Sequence, residues 1–282
     1  MKPAIRLIQG DCLAELPKLP EASIDVVVTS PPYNLGIDYS NYDDRQSRDE
    51  YLAWTAQWMA AVKRVLAAKG SFFLNIAGKP KDPWGPFEVA RIARDLFTLQ
   101  NTIYWVKSIA VELPMTDGGE NTVSVGHYKP INSKRFLNDC VEFVFHFTHE
   151  GQVELDRLAI GVEYADKSNV TRWKAAGADV HCRGNAWFVP YSTIQSRDKD
   201  RPHPASFPPE LAKMAIELHG LERTTRVLDP FSGIGSTALA CVELGVERPD
   251  IEYVGIELDA GYNAEAERRV NAKTGRPEGA PR

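Results

Sequence analysis

A run of β-branched residues that stops at two consecutive prolines constrains this chain more than any other stretch. Residues 26–29, Val-Val-Val-Thr, predict a buried strand, because β-branched side chains favour extended backbone. Pro31 and Pro32 end that strand, since a proline nitrogen cannot donate to a central ladder. The stiff turn presents the Ser30 hydroxyl, the Pro31 carbonyl and the Tyr33 ring. These groups suit a planar ligand that carries an exocyclic amino group.

A second stretch, residues 225–257, reads as strand, glycine-rich turn, helix and strand. Gly233 and Gly235 let the backbone approach a ligand, and the N-terminus of the predicted helix Ser236–Leu244 favours an anionic group. The last strand ends at Glu257, whose carboxylate could accept hydrogen bonds from both hydroxyls of a ribose. The sequence therefore predicts a nucleotide-like ligand at this turn.

The same glycines also fit a dinucleotide fingerprint, Gly233-x-Gly235-x-x-Ala238. An NAD-dependent oxidoreductase is therefore an alternative. Only 25 residues follow Glu257, so such a fold would have to take its remaining strands from earlier in the chain.

Further elements are expected from periodicity and capping signals. The predicted strands span residues 5–8, 71–76, 102–106 and 141–148, and the predicted helices span residues 47–68, 87–96 and 209–219. Residues 107–138 have no steady period and predict a long irregular segment, which in a compact domain is usually functional.

Several motifs together resemble the amino-methyltransferases of DNA, which move a methyl group from S-adenosylmethionine to the amino nitrogen of cytosine or adenine. Thr29-Ser30-Pro31-Pro32-Tyr33-Asn34 is similar to their catalytic motif, and Asp229-Pro230-Phe231-Ser232-Gly233-Ile234-Gly235-Ser236-Thr237 to their cofactor loop. His203-Pro204-Ala205-x-Phe207-Pro208 precedes that loop. This motif order, with the catalytic turn first, is that of the family's β group. The resemblance covers roughly residues 5–110, 140–150 and 200–262.

The resemblance implies an α/β fold of the S-adenosylmethionine-dependent methyltransferase type. Its Rossmann-like sheet is mostly parallel, its motif order is circularly permuted, and it carries a small target-recognition insertion. It also implies a division of the chain: residues 1–149 and 203–273 form the catalytic and cofactor-binding parts of one domain, 150–202 a target-recognition region, and 274–282 a frayed tail.

The resemblance assigns roles to residues that the motifs match. The expected catalytic residues are Ser30, Pro31, Pro32 and Tyr33. The expected cofactor-binding residues are Asp11, Phe207, Asp229, Pro230, Phe231, Ser232, Gly233, Gly235, Ser236, Thr237 and Glu257. For Asp11, a helix N-cap ahead of residues 13–19 is an equally good interpretation.

Duplex DNA is the expected partner, although the net charge of −5 requires a local basic face. Residues 121–138 carry three basic side chains and no acidic one. The expected DNA-binding residues are Asn34, Lys129, Lys134, Arg135, Arg172, Lys174 and Arg183. A homodimer and a cognate restriction endonuclease are further partners that the resemblance allows.

Ser30 favours cytosine N4 as the target over adenine N6, because in the resembling family serine before Pro-Pro-Tyr is commoner in cytosine enzymes. The chain has no Pro-Cys pair, which argues against attack by a cysteine at cytosine C5. No metal is expected, since the four cysteines are far apart. Without a signal-peptide pattern or a long apolar run, the expected location is the cytoplasm, at the nucleoid of a bacterium or phage host.

Overall fold

The computed structural model describes residues 3–39, 41–114, 120–126, 133–172, 179–190 and 206–275. Its strands are β1 (Ala4–Gln9), β2 (Ile24–Thr29), β3 (Leu66–Ile76), β4 (Thr98–Val106), β5 (Ile109–Pro114), β6 (Glu120–Val125), β7 (Val141–Thr148), β8 (Ala186–Phe188), β9 (Arg226–Asp229) and β10 (Glu252–Glu257). Its α-helices are α1 (Cys12–Glu15), α2 (Arg48–Val65), α3 (Gly85–Arg94), α4 (Ser168–Arg172), α5 (Pro209–His219), α6 (Ser236–Leu244) and α7 (Ala260–Thr274).

Eight of these strands form one sheet in the order β1-β10-β9-β2-β3-β7-β4-β8. Strand β7 is antiparallel to both of its neighbours, and all other adjacent pairs are parallel. The predicted α/β fold with a mostly parallel sheet is therefore confirmed.

The sheet is permuted in sequence, because β9 and β10 come from the end of the chain and lie between β1 and β2. Val26 of β2 pairs with Val227 of β9, and Val27 pairs with Leu228. The carboxyl ends of β2 and β9 are thus neighbours, which is where open α/β sheets bind ligands.

The central residues of β2, Val26 to Val28, are all apolar because helices cover both faces of the sheet. Val26 and Val28 pack in the core on the side of α5, α6 and α7, whereas Val27 packs on the side of α2 and α3. Each of these three valines is at most 4% exposed.

Helix α2 begins at the capping box that the sequence predicts. The Ser47 hydroxyl accepts a hydrogen bond from the Glu50 amide, and the Glu50 carboxylate accepts one from the Ser47 amide. The helix ends at Val65, three residues before the expected end at 68, because Leu66 is already extended and starts β3.

The expectation of a long irregular segment was wrong. Within residues 107–138, β5 and β6 form an antiparallel hairpin that lies outside the main sheet. Each of these two strands has only six residues, which is too short for a steady pattern of apolar residues to be recognised in the sequence. Helix α7 was not expected; the Asp259 carboxylate caps it by accepting from the Tyr262 amide.

The predicted target-recognition region, 150–202, is partly integrated into the sheet. Strand β8 pairs with β4, and Trp187 on β8 is fully buried. The division of the chain at 150 and 202 stays a prediction. In the described part of the chain, no helix has the length and apolarity needed to cross a membrane.

Two histidines share one serine inside the core. His146 Nε2 and His219 Nδ1 each lie 2.9 Å from Ser71 Oγ, and the His146 ring stacks on Phe73. Burial lowers the pKa of His146 to about 3 and that of His219 to about 4.

These histidines should make the fold sensitive to acid. In the unfolded chain they take up protons below about pH 6.5, whereas the folded chain resists this, so stability falls as pH falls through that range. Replacing His146 by glutamine should reduce the slope of unfolding free energy between pH 6 and 4 by about 1.4 kcal/mol per pH unit. Urea denaturation at several pH values measures it, and an unchanged slope would contradict this role.

Candidate active site

One cavity of about 260 Å³ opens at the carboxyl ends of β1, β2, β9 and β10. Most residues that the sequence assigned to catalysis or cofactor binding line it. They are Asp11, Ser30, Pro31, Pro32, Tyr33, Phe207, Pro230, Phe231, Ser232, Gly233, Ser236 and Glu257. Two segments some 200 residues apart in sequence thus contribute to a single site.

Three predicted cofactor-binding residues, Asp229, Gly235 and Thr237, are not among the residues that line the cavity. The Asp229 carboxylate is 1% exposed and accepts from Thr29 Oγ1 at 2.6 Å, Thr237 Oγ1 at 2.8 Å and the Phe231 amide at 3.1 Å. Burial raises its pKa to about 6. Asp229 therefore holds the loop to the catalytic turn from behind the cavity.

Gly235 has a positive φ of 80° at the N-cap of α6. A β-carbon there would lie 3.0 Å from the Ala266 side chain on α7. Glycine thus permits both the left-handed turn and the close helix contact.

Glu257, at the end of β10, is fixed by two backbone amides. Its Oε2 accepts from the Gly233 amide and its Oε1 from the Asp259 amide, both at 2.8 Å. Burial raises the pKa of this carboxyl. Each oxygen keeps a further lone pair, so the carboxylate can still accept two hydrogen bonds from a ligand.

Asp11 is the N-cap of α1, and its role in cofactor binding stays a prediction. Its carboxylate accepts from the Leu13 amide at 2.8 Å and caps α1, and Asp11 also lines the cavity.

Aromatic rings form one apolar wall of the cavity. Phe231 contacts Trp54 with ring centroids 5.5 Å apart and Trp58 at 5.2 Å. Trp54 also lines the cavity, whereas Trp58 is fully buried behind it.

The turn formed by Ser30 to Tyr33 belongs to a hydrogen-bond network that the sequence did not predict. Tyr33 Oη lies 2.6 Å from Ser30 Oγ, 3.2 Å from Glu142 Oε2 and 2.8 Å from Asn75 Nδ2. Asn75 also donates to Glu142 Oε2 at 2.9 Å, and Lys107 pairs with Glu142 Oε1 at 3.1 Å.

The two proline carbonyls of this turn differ in their partners. The Pro32 carbonyl accepts from Tyr51 Oη at 2.9 Å, while no described residue donates to the Pro31 carbonyl.

A signal for two of these residues was present in the sequence. Asn75 lies between the apolar residues 74 and 76, Glu142 lies between the apolar residues 141 and 143, and both polar residues are buried. Because a buried polar group needs partners, such an interruption predicts either a network or a ligand contact.

The loop of residues 34–46 contributes further residues that were missed, Tyr39, Asn41 and Tyr42, to the cavity lining. Asp44 shapes this loop by accepting from the backbone amides of residues 34–37. Asn41 Nδ2 donates to Asp259 Oδ2 at 2.7 Å and joins the loop to the start of α7.

The described residues predicted to contact DNA, namely Asn34, Lys134, Arg135 and Arg183, are not among those that line this cavity. Asn34 donates its side-chain amide to the Gln46 carbonyl, which fixes the turn, and Arg183 Nε donates to the Ile160 carbonyl. Lys134 and Arg135 are exposed and form no ion pair with a described residue. Lys129, Lys174 and the Arg172 side chain lie outside the described residues.

Comparison with known proteins gives one family. A sequence model described as DNA methylase matches residues 24–268. The type II methyltransferase M.MjaVI of Methanocaldococcus jannaschii is 45% identical over 105 residues, which cover 36% of this chain and 53% of that protein. The type II methyltransferase M.HpaI of Haemophilus parainfluenzae is 28% identical over 272 residues, which cover 95% of this chain and 74% of that protein.

Solved structures share the fold. The PvuII cytosine-N4-specific DNA methyltransferase superposes with a TM-score of 0.65 at 21% identity, covering 99% of this chain and 91% of that one. TTHA0409 of Thermus thermophilus, in complex with S-adenosyl-L-methionine, superposes with a TM-score of 0.59 at 21% identity, covering 99% and 100%.

The contacts of Asp229 predict a structural role for this residue. Asp229→Ala leaves two buried hydroxyls and one amide without their acceptor and should lower the unfolding free energy by about 2–4 kcal/mol. Asp229→Asn keeps one acceptor oxygen and should cost less. Urea denaturation compares the two variants, and an alanine variant as stable as the wild type would contradict the role.

Proposed function

Because this chain belongs to the DNA methylase family, we propose that it moves a methyl group from S-adenosylmethionine to the exocyclic amino group of a base in duplex DNA. The favoured target is N4 of cytosine. The observation that carries the proposal is the meeting of the Ser30 turn and the loop after β9 in one cavity.

The cavity residues fit the cofactor. Glu257 retains acceptor sites for ribose hydroxyls. Asp11 lines the same cavity, and Phe207 offers an apolar contact. When bound, S-adenosylmethionine supplies a methyl group made electrophilic by a positively charged sulfur.

The charge of the cavity also favours this cofactor over NAD. Its described lining includes the carboxylates of Asp11, Glu142, Glu257 and Asp259 and neither lysine nor arginine. Such a lining attracts a cationic ligand and disfavours the diphosphate of a dinucleotide. Together with the family, this argues against the oxidoreductase alternative.

The catalytic turn acts on the amino group of the target base. Ser30 Oγ and the Pro31 carbonyl accept its two protons, which favours a pyramidal nitrogen with its lone pair directed at the methyl. Tyr33 offers a ring face for stacking. Since the amino group is paired in a duplex, the base has to leave the helix to reach this turn. Holding both reactants aligned supplies much of the acceleration.

The choice of cytosine rests on Ser30, because serine at this position is commoner in the family's cytosine enzymes and aspartate or asparagine in its adenine enzymes. N6 of adenine is the second candidate, since its amino group presents the same two protons to the same acceptors. A cognate restriction endonuclease and a second copy of the chain stay predictions.

The proposal is tested with purified protein, S-adenosylmethionine and unmethylated bacterial genomic DNA, followed by mass spectrometry of the nucleosides. N4-methylcytosine is the expected product. N6-methyladenine would overturn the base assignment alone, and the absence of any methylated base would overturn the proposal.

Glu257→Ala should weaken binding of S-adenosylmethionine by about 1–3 kcal/mol, the cost of losing charge-assisted hydrogen bonds. Titration calorimetry measures the affinity. Glu252→Ala, on the same strand but at its opposite end, is the matched control. Equal affinity of the Glu257 variant and the control would exclude contact with the cofactor.

Ser30→Ala should lower turnover more than it weakens cofactor binding, since its contact is with the target base. Ser30→Asp keeps an acceptor and carries the residue commoner in adenine enzymes, so it should lower methylation of cytosine. Steady-state kinetics and calorimetry separate the two effects. Full-rate cytosine methylation by Ser30→Asp would show that Ser30 does not determine the base.

Lys134→Ala combined with Arg135→Ala should reduce the salt dependence of DNA binding by up to about two in the log–log slope, one for each lost phosphate contact. Lys69→Ala is the control, because Lys69 lies on β3 toward the strand's N-terminal end, away from the cavity. Fluorescence anisotropy at several salt concentrations gives the slopes. If the double variant keeps the wild-type slope, these residues do not face phosphates.

A further inference from the structure

The carboxylate of Glu142 lies beside the catalytic turn without belonging to any motif that carries the proposed function. Glu142 is 8% exposed and lines the cavity. Its Oε1 is paired with Lys107 Nζ at 3.1 Å, and its Oε2 faces Tyr33 Oη and Asn75 Nδ2. As the acidic member of this ion pair, Glu142 offers only acceptor oxygens to the turn.

The direction of each hydrogen bond in this network follows from counting protons. An ionised carboxylate has no proton, so Tyr33 must donate its single hydroxyl proton to Glu142. The amide of Asn75 donates to Tyr33 Oη and so cannot take that proton. Tyr33 can then only accept from Ser30, 2.6 Å away. The hydroxyl proton of Ser30 is thereby directed toward Tyr33. Of the two lone pairs on Ser30 Oγ, one faces Asn75 Nδ2 at 3.5 Å, and the other is left for the cavity.

We propose that Glu142, held by Lys107, is a positioning residue that makes Ser30 a hydrogen-bond acceptor and so selects a target with an amino group. The inference rests on the proposed function and deepens it. The hydrogen bond from Ser30 to Tyr33 and the one from Tyr33 to Glu142 run in the same direction. The buried carboxylate therefore determines that Ser30 accepts from the target. A base with an oxo group at the same position presents an acceptor to an acceptor and is disfavoured.

The network changes what is expected of Tyr33. From its ring face alone, Tyr33→Phe should retain much of the activity. Because the hydroxyl is the link between Glu142 and Ser30, the phenylalanine variant should instead behave like a variant of Glu142.

A double-mutant cycle tests the link. Glu142→Gln, Tyr33→Phe and the double variant are assayed for single-turnover methyl transfer to unmethylated bacterial genomic DNA. Each single change should lower the rate about 10- to 100-fold, and the double variant should be no slower than the slower single variant. Cofactor affinity should stay within about twofold of the wild-type value, because these hydrogen bonds orient Ser30 toward the target base and not toward the cofactor.

Two further variants separate positioning from stability. Glu142→Gln with Lys107→Met removes both charges and avoids an unpaired buried lysine, and it should lose rate as Glu142→Gln does. Glu252→Gln, whose carboxylate pairs with Arg226 at 2.7 Å at the other end of the sheet, should keep the wild-type rate. Circular dichroism confirms that each variant is folded.

A binding measurement gives a readout that does not depend on turnover. The recognition site is read by methylome sequencing of a host that expresses the gene, and duplexes are made with either the target base or its deaminated, oxo-bearing counterpart. The preference of the wild type for the amino duplex, relative to the oxo duplex, should fall about tenfold in Glu142→Gln. The free energy of flipping the base out of a given duplex is the same for the wild type and for Glu142→Gln, so it cancels when their preferences are compared.

The outcomes distinguish the two levels of inference. If the wild type methylates DNA but Glu142→Gln keeps its full rate, or if the losses of the two single variants multiply, the polarity proposal is wrong and the proposed function stands. If the preference ratio does not change, the proposal is wrong for binding. If the wild type transfers no methyl group to DNA, the proposed function fails, and with it the inference that rests on it.

Discussion

One hydrogen bond joins the two halves of the site. Thr29, the last residue of β2, donates to the Asp229 carboxylate at the end of β9, 2.6 Å away. The same carboxylate receives Thr237 from α6 and the Phe231 amide from the loop. Because Asp229 is buried and its three donors come from three elements, a shift of the loop relative to the catalytic turn would leave buried polar groups unsatisfied. The separation of Ser30 and Gly233 is thus fixed by the core.

The charges around the cavity differ between its two halves, one containing Glu257 and the other Glu142. Among the described residues, Glu257 accepts from two backbone amides and pairs with no lysine or arginine, so no described cation balances its charge. Glu142, by contrast, is paired with Lys107 and contacts the neutral hydroxyl of Tyr33. A cationic sulfonium and a neutral base, the reactants of the proposed transfer, match these two environments.

The sequence predicted both halves of the site because each is a local pattern. The valines and prolines of residues 26–32 define a strand and its end, and Gly233 and Gly235 define a turn before a helix. It did not predict Asn75, Glu142 or Lys107, since their importance depends on β7 lying antiparallel between β3 and β4. Strand order is a long-range property that no local period reveals. For the same reason Asp229 was assigned to the cofactor, although its partners from β2 and α6 draw its carboxylate into the core.

In the proposed transfer the amino lone pair points at the methyl group of the cofactor, which implies direct displacement with no methylated enzyme. The stereochemistry of the methyl group tests this most directly. S-adenosylmethionine with a methyl group made chiral by hydrogen isotopes is used to methylate DNA, and the configuration of the transferred methyl is determined. A single in-line transfer to the amino group held by Ser30 and Pro31 predicts inversion. Retention would mean two successive transfers through a protein side chain, and would contradict the account.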